Sequence, residues 1–114
     1  MKIVISAIDG NLNAAVDPRF GRAAYFLLTD PGTLDFEAFP NQNADAGGAA
    51  GIQSAQWVVK NGAQAVITGR CGPNAFRVLD AAGVQVFDGA EGTVGEVISA
   101  WKNQELNKLE KVED

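Results

Sequence analysis

The chain has 114 residues, 46% of them hydrophobic and 20% charged, which supplies one domain with its own core and leaves no length for a second. No apolar run approaches the roughly 20 residues that a membrane-spanning helix needs, and a strand-like run directly after Met1-Lys2 leaves no room for a signal peptide, so a cytoplasmic protein is expected. A formal net charge of −5 argues against general nucleic-acid binding; histidine is absent and Cys71 is the only cysteine, which excludes Ser-His-Asp and Cys-His catalysis, an internal disulfide and a Cys/His zinc site.

Residues 2–7, with Ile3-Val4-Ile5 at their heart, form a β-branched run of the kind buried on both faces of a sheet. A loop rich in Asn, Asp, Pro and Gly follows to Arg22, longer than the usual connection and therefore of functional interest. Residues 23–29 and 34–39 read as a hairpin across Asp30-Pro31-Gly32-Thr33, and Asp35 and Glu37 on one face of the later strand suit a water-exposed edge. After a polar loop over 40–46, the stretch Ala46-Gly47-Gly48-Ala49-Ala50-Gly51 opens a helix with apolar face Ile52, Ala55, Val58 and Val59, closing at Lys60-Asn61-Gly62. Its glycines suit either close approach to a ligand or tight packing of helix on sheet.

Residues 65–68 form a short apolar strand that runs through Gly69-Arg70-Cys71-Gly72-Pro73 into a helix over 74–82, with Ala75, Phe76, Leu79 and Ala82 on its apolar side. Residues 84–87 form the next strand. Thr93-Val94-Gly95-Glu96 has the form of a capping box, and Val94, Val97, Ile98 and Trp101 fall at i, i+3, i+4 and i+7, so a last amphipathic helix follows. The charge-rich residues from 103 onward are expected to fray, and the domain is drawn as 1–106 with a tail over 107–114.

The order β-β-β-α-β-α-β-α, with the third strand at an edge, predicts an α/β sheet of five strands in spatial order 3-2-1-4-5. In that order the chain leaves strands 1 and 4 in opposite directions, so a ligand crevice falls outside their carboxyl ends. The loops there, residues 9–22 and 69–73, contain Arg19, Arg22 and Arg70, three of the four arginines of an acidic chain. With the free amides of a helix N-terminus beside them, they predict an anion-binding crevice. Cys71, next to Arg70 at that N-terminus, is expected to have a lowered thiol pKa, or else to be a small buried hydrophobe. Asp9, Asp17 and Asp88 stand beside Gly or Pro at turns; they suit acid, base or hard-metal chemistry, or capping of their own backbone.

Lys2-Ile3-Val4-Ile5, Arg19-Phe20-Gly21-Arg22-Ala23 before Tyr25-Phe26, Gly47-Gly48 with Gly51, Thr68-Gly69 with Gly72-Pro73-Asn74-Ala75, Leu79 with Gly83-Val84, and Gly92-Thr93-Val94 together resemble the dinitrogenase iron–molybdenum cofactor-binding family. This is the domain of NifX, of NafY and of the tail of NifB proteins, and the resemblance spans residues 1 to about 106. It implies a ribonuclease-H-like three-layer α/β/α fold and a non-enzymatic carrier of an anionic metal–sulfur cluster. As a stand-alone domain the chain is most similar to the orange-protein branch of sulfate-reducing bacteria, whose cargo is a molybdenum–copper sulfide cluster; an iron–molybdenum–sulfur cluster is the alternative cargo.

By this resemblance the binding residues are Arg19, Phe20, Arg22, Gly47, Gly48, Arg70, Cys71, Gly72 and Asn74, with Cys71 an optional metal ligand and other proteins as delivery partners. Many family members have His where Arg19 stands, which here favours electrostatic capture of a preassembled cluster over direct ligation. Two other readings compete. One is a metal-dependent hydrolase in which Asp9 and Asp88 hold Mg²⁺. The other is a ligand-free interaction module docking through Phe20, Phe76 and the tail.

Overall fold

The computed structural model describes residues 1–45 and 49–110. Ile3–Ala7 forms β1, every residue of it buried, as its β-branched run requires of a central strand. Tyr25–Thr29 is β2 and Phe36–Pro40 is β3, both antiparallel and in register with Tyr25 opposite Pro40 and Ala7 opposite Tyr25. The outer strand β3 is exposed along most of its length, and Glu37 and Pro40 on it discourage pairing with another chain. Ala50–Lys60 is α1, Ala65–Ile67 is β4, Pro73–Ala81 is α2, Gln85–Asp88 is β5 and Val94–Lys102 is α3. β1 pairs in parallel with β4, and β4 with β5.

The sheet is thus mixed and contains the expected order 3-2-1-4-5, but a sixth strand extends it to 3-2-1-4-5-6. β6, Asn107–Leu109, lies in the stretch expected to fray and pairs antiparallel with β5, Lys108 opposite Phe87. The charge of the tail concealed two leucines that pack on opposite faces of the sheet, Leu106 against the α3 side and Leu109 against the α1/α2 side. Pairing there also covers the edge that β5 would otherwise leave open.

The side chains of Val4, Val66 and Val86 point to one face of the sheet, where Ala55, Val58, Ala75, Phe76 and Leu79 of α1 and α2 cover them. Ile3, Ile5, Ala65 and Ile67 point to the other, under Val94, Val97 and Ile98 of α3. This alternation makes three layers from one sheet. The buried side of α1 differs from the expected one: it is Ala50, Ser54, Ala55 and Val58, while Val59 is 37% exposed. The bulk on this flank comes instead from Trp57, whose ring stacks on Phe26 at 5.4 Å and meets Phe39 edge-on at 5.3 Å. α3 carries its capping box, the Glu96 amide donating to Thr93 Oγ1 (3.2 Å) and the Thr93 amide to Glu96 Oε1 (2.9 Å).

Val97 is 2% exposed in the α3 layer. Truncation in Val97→Ala is expected to cost about 1–2.5 kcal/mol in a chemical denaturation experiment. A neutral result would mean that α3 is not docked as described.

Candidate functional site

The site lies where β1 and β4 end. After β1 the chain loops out and returns, the Ile8 amide donating to the Ala15 carbonyl (3.0 Å) and the Asp17 amide to the Ser6 carbonyl (2.9 Å). Ser6 Oγ is hydrogen-bonded to the Asp17 carbonyl (2.8 Å) and to Thr68 Oγ1 (2.7 Å), so two fully buried hydroxyls tie this return to the ends of both strands. The loop then runs beside the β4–α2 turn, where Arg19 and Arg70 form a parallel bridge and the Phe20 amide donates to the Arg70 carbonyl (3.1 Å).

Two glycines make this passage narrow enough. A Cβ at Gly69 would stand 2.5 Å from Pro18 Cα, and one at Gly21 would stand 2.7 Å from both the amide nitrogen and the Cα of Gly51. Each obstacle is backbone and cannot swing aside. Phe20 anchors the loop between these points, its side chain buried in the α1/α2 layer with its ring 5.4 Å from that of Phe26.

What remains is an open crevice of about 440 Å³, walled by the loop at Pro18, Arg19, Gly21 and Arg22, by the start of α1 at Ala50 and Gly51, and by the turn at Arg70 and Gly72; Phe20 backs it. Two helices therefore begin at its rim. Among the described residues neither α1 nor α2 has a capping side chain or an acidic residue in its first turn. At α2, entered from the extended Gly72, the first amides and the positive end of the dipole suit water or an anion.

The three arginines at the rim differ in their engagements. Arg19 is ion-paired through Nε with Asp17 at 3.3 Å, its side chain 64% exposed and that of Asp17 only 2%. Arg22 donates from Nη1 to the Ala44 carbonyl (3.0 Å). Arg70 is exposed, and its guanidinium has no hydrogen-bond or ion-pair partner among the described residues. Gly47 and Gly48 lie outside the described residues. Gly72 is the N-cap of α2, extended, with open space where a Cβ would be.

Cys71 does not line the crevice. It is 4% exposed and belongs to the core under α1 and α2, with Sγ donating to the Gly72 carbonyl at 3.7 Å. Burial first, and the charge of Asp88 second, push its thiol up to about 12, the reverse of the lowered value expected from its place beside Arg70. The side chain turns inward, away from the cations that would have favoured thiolate. Asn74 is exposed on α2, its Oδ1 accepting from Arg77 Nη1 (2.9 Å), and is not part of the crevice wall.

The aspartates at these turns accept hydrogen bonds from other groups of the protein, Asp9 and Asp17 from their own turns and Asp88 from across the sheet. Asp9 accepts from the Gly10 amide (2.8 Å), and Asp88 accepts from Asn107 Nδ2 (3.2 Å). Among the described residues no group of three or more Asp, Glu, Cys or His side chains could hold a metal ion. Phe20 and Phe76, expected on a docking surface in the interaction-module reading, are 2% and 7% exposed and are core residues. Pro18 was not legible as a crevice residue, because it contributes backbone and shape, which leave no compositional mark. Asp17 was legible only as a turn residue; that its carboxylate pairs with Arg19 depends on the return of the loop.

The family described as dinitrogenase iron–molybdenum cofactor matches residues 1–104 of the sequence. No curated protein matches it. Among solved structures, the apo form of the orange protein from Desulfovibrio gigas is 35% identical, with a TM-score of 0.90 over 95% of this chain and 92% of that one. A Thermotoga protein assigned as NifB is 34% identical, with a TM-score of 0.84 over 99% and 97% of the two chains. The chain belongs to the dinitrogenase iron–molybdenum cofactor family. Membership places it among proteins of the metal-cluster-binding or carrier type, and its fold is that of the orange protein.

Proposed function

We propose that the chain carries a preassembled, anionic, molybdenum-containing sulfide cluster in the crevice between α1 and α2, and does so without catalysing a reaction on it. The observation that supports this most is the make-up of the rim: three arginines and two helix N-termini without a side-chain cap face a crevice that, among the described residues, presents no imidazole, no carboxylate cluster and no accessible thiol. Such a surface attracts negative charge and has little to offer a bare metal cation. A cluster whose sulfides already complete its coordination fits it. Arg70, Arg22 and Arg19 neutralise the cargo, and the first amides of α1 and α2, together with that of Gly72, donate to its sulfides.

Resemblance to the orange-protein branch makes a molybdenum–copper sulfide cluster the preferred cargo and an iron–molybdenum–sulfur cluster the alternative. Delivery by a partner protein is part of the same proposal. Protein purified under anaerobic conditions from a host supplied with molybdenum is expected to be coloured by sulfide-to-metal charge transfer and to contain molybdenum. Colourless, metal-free protein that hydrolyses phosphoesters with Mg²⁺ would refute the carrier reading.

Cys71 separates two ways of holding such a cargo. An open coordination site on the metal would recruit a soft thiolate. A buried thiol held near 12 is protonated at neutral pH and does not fill that role. Cys71→Ser is therefore expected to take up cluster with a near-wild-type absorption spectrum. Loss of colour, or a large shift of the charge-transfer bands with circular dichroism unchanged, would make Cys71 a ligand.

A further inference from the structure

Asp17 is 1% exposed and lies under the rim of the crevice. Four donors converge on its carboxylate. Oδ1 accepts from the Arg19 amide (3.0 Å) and from Arg19 Nε (3.3 Å). Oδ2 accepts from the Ala24 amide (3.2 Å) and from Arg19 Nη2 (3.5 Å). One residue thus ties the start of the Arg19–Arg22 loop to its end and grips a whole edge of the Arg19 guanidinium. Arg70, across the bridge from Arg19, has no such acceptor among the described residues.

We propose that Asp17 is a positioning residue that divides the work of these arginines: it keeps Arg19 as a neutralised strut of the loop and leaves the meeting with the anion to the rim cations outside that pair, Arg70 among them. The proposal rests on the reading of the crevice as an anion carrier and sets how strongly that crevice holds its cargo. An ion pair presents a dipole to a distant charge, and a dipole field falls off faster than that of a single charge, so Arg19 adds less attraction than its formal charge suggests. A buried carboxylate facing the same guanidinium also limits how far Arg19 can turn toward a ligand without leaving Asp17 unpaired, which is costly. The site is thereby weaker than three unpaired arginines would make it, as suits a carrier that must also release.

The test is equilibrium binding of tetrathiomolybdate to the full chain, at low and high salt, with thermal unfolding of each variant. Asp17→Asn releases Arg19. It is expected to bind the probe about threefold more tightly at low salt and with a steeper salt dependence, although its melting temperature falls. A merely structural Asp17 predicts the opposite sign, with affinity falling along with stability, and that result overturns the proposal.

Arg19→Gln and Arg70→Gln form the second comparison and decide the matter if Asp17→Asn does not fold. Arg19→Gln is expected to lower the melting temperature and weaken binding about twofold, while Arg70→Gln leaves the melting temperature in place, weakens binding about tenfold and flattens the salt dependence. Equal losses of affinity with no change in melting temperature for Arg19→Gln would overturn it. Absence of saturable binding by the wild-type chain defeats the carrier reading and this proposal together, whereas saturable binding with the wrong order of variants defeats this proposal alone.

Discussion

Gly69→Ala is expected to lower stability by about 3 kcal/mol, a fall of roughly 10 °C or more in melting temperature, and to open the crevice as it does so. The added Cβ would lie 2.5 Å from Pro18 Cα and 2.9 Å from the Pro18 carbonyl oxygen. Because both are main-chain atoms, relief requires the loop to part from the turn, and the hydrogen bond from the Phe20 amide to the Arg70 carbonyl is the first to be lost. Gly51→Ala is the control: a Cβ there meets only the Ala75 methyl at 3.4 Å, an ordinary contact, in a helix that gains by exchanging glycine for alanine. Differential scanning calorimetry of the two variants measures the difference. Equal melting temperatures would mean that the loop and turn are not in the close contact described.

Arg70→Ala is expected to weaken binding of the cluster by about 1.5–2 kcal/mol, or roughly tenfold to thirtyfold, at low salt. Lys60→Ala should change it less than twofold. Lys60 ends α1, an 11-residue helix whose other end borders the crevice. At about 1.5 Å per residue that places it roughly 15 Å away, beyond the Debye length of about 10 Å at 0.1 M salt. Because Arg70 is exposed, its contribution is expected to shrink as salt rises, and titrations at two ionic strengths read this directly. Equal losses for the two variants would mean that the crevice is misplaced.

Much of the architecture was legible because its signals are local. The unbroken apolar run of β1, the alternation that placed Asp35 and Glu37 toward an outer edge, and the Thr93–Glu96 capping box each follow from a few adjacent residues. The strand order 3-2-1-4-5 was also legible, since a hairpin followed by βαβ units leaves few other arrangements. β6 was not, because Leu109 in it and Leu106 just before it stand among charges, and a three-residue strand exists only through its partner β5. Of the two states open to Cys71, the buried one is found, and the sequence could not choose between them for a related reason. Its sequence neighbour Arg70 and the helix N-terminus argued for thiolate, but which way a turn residue faces is decided by tertiary packing, and this one faces the core. The pairing of Asp17 with Arg19 likewise needs the loop to fold back before both carboxylate oxygens can be filled.

The central claim, that this crevice captures a complete anionic sulfide cluster, is tested most directly by anaerobic addition of tetrathiomolybdate and copper to the metal-free wild-type protein, followed by desalting and visible spectroscopy. Intense charge-transfer colour and stoichiometric molybdenum are expected to stay with the protein, much reduced in Arg70→Ala but kept in Cys71→Ser. Protein that emerges colourless and free of molybdenum, or that keeps its colour equally in Arg70→Ala while losing it in Cys71→Ser, would contradict it.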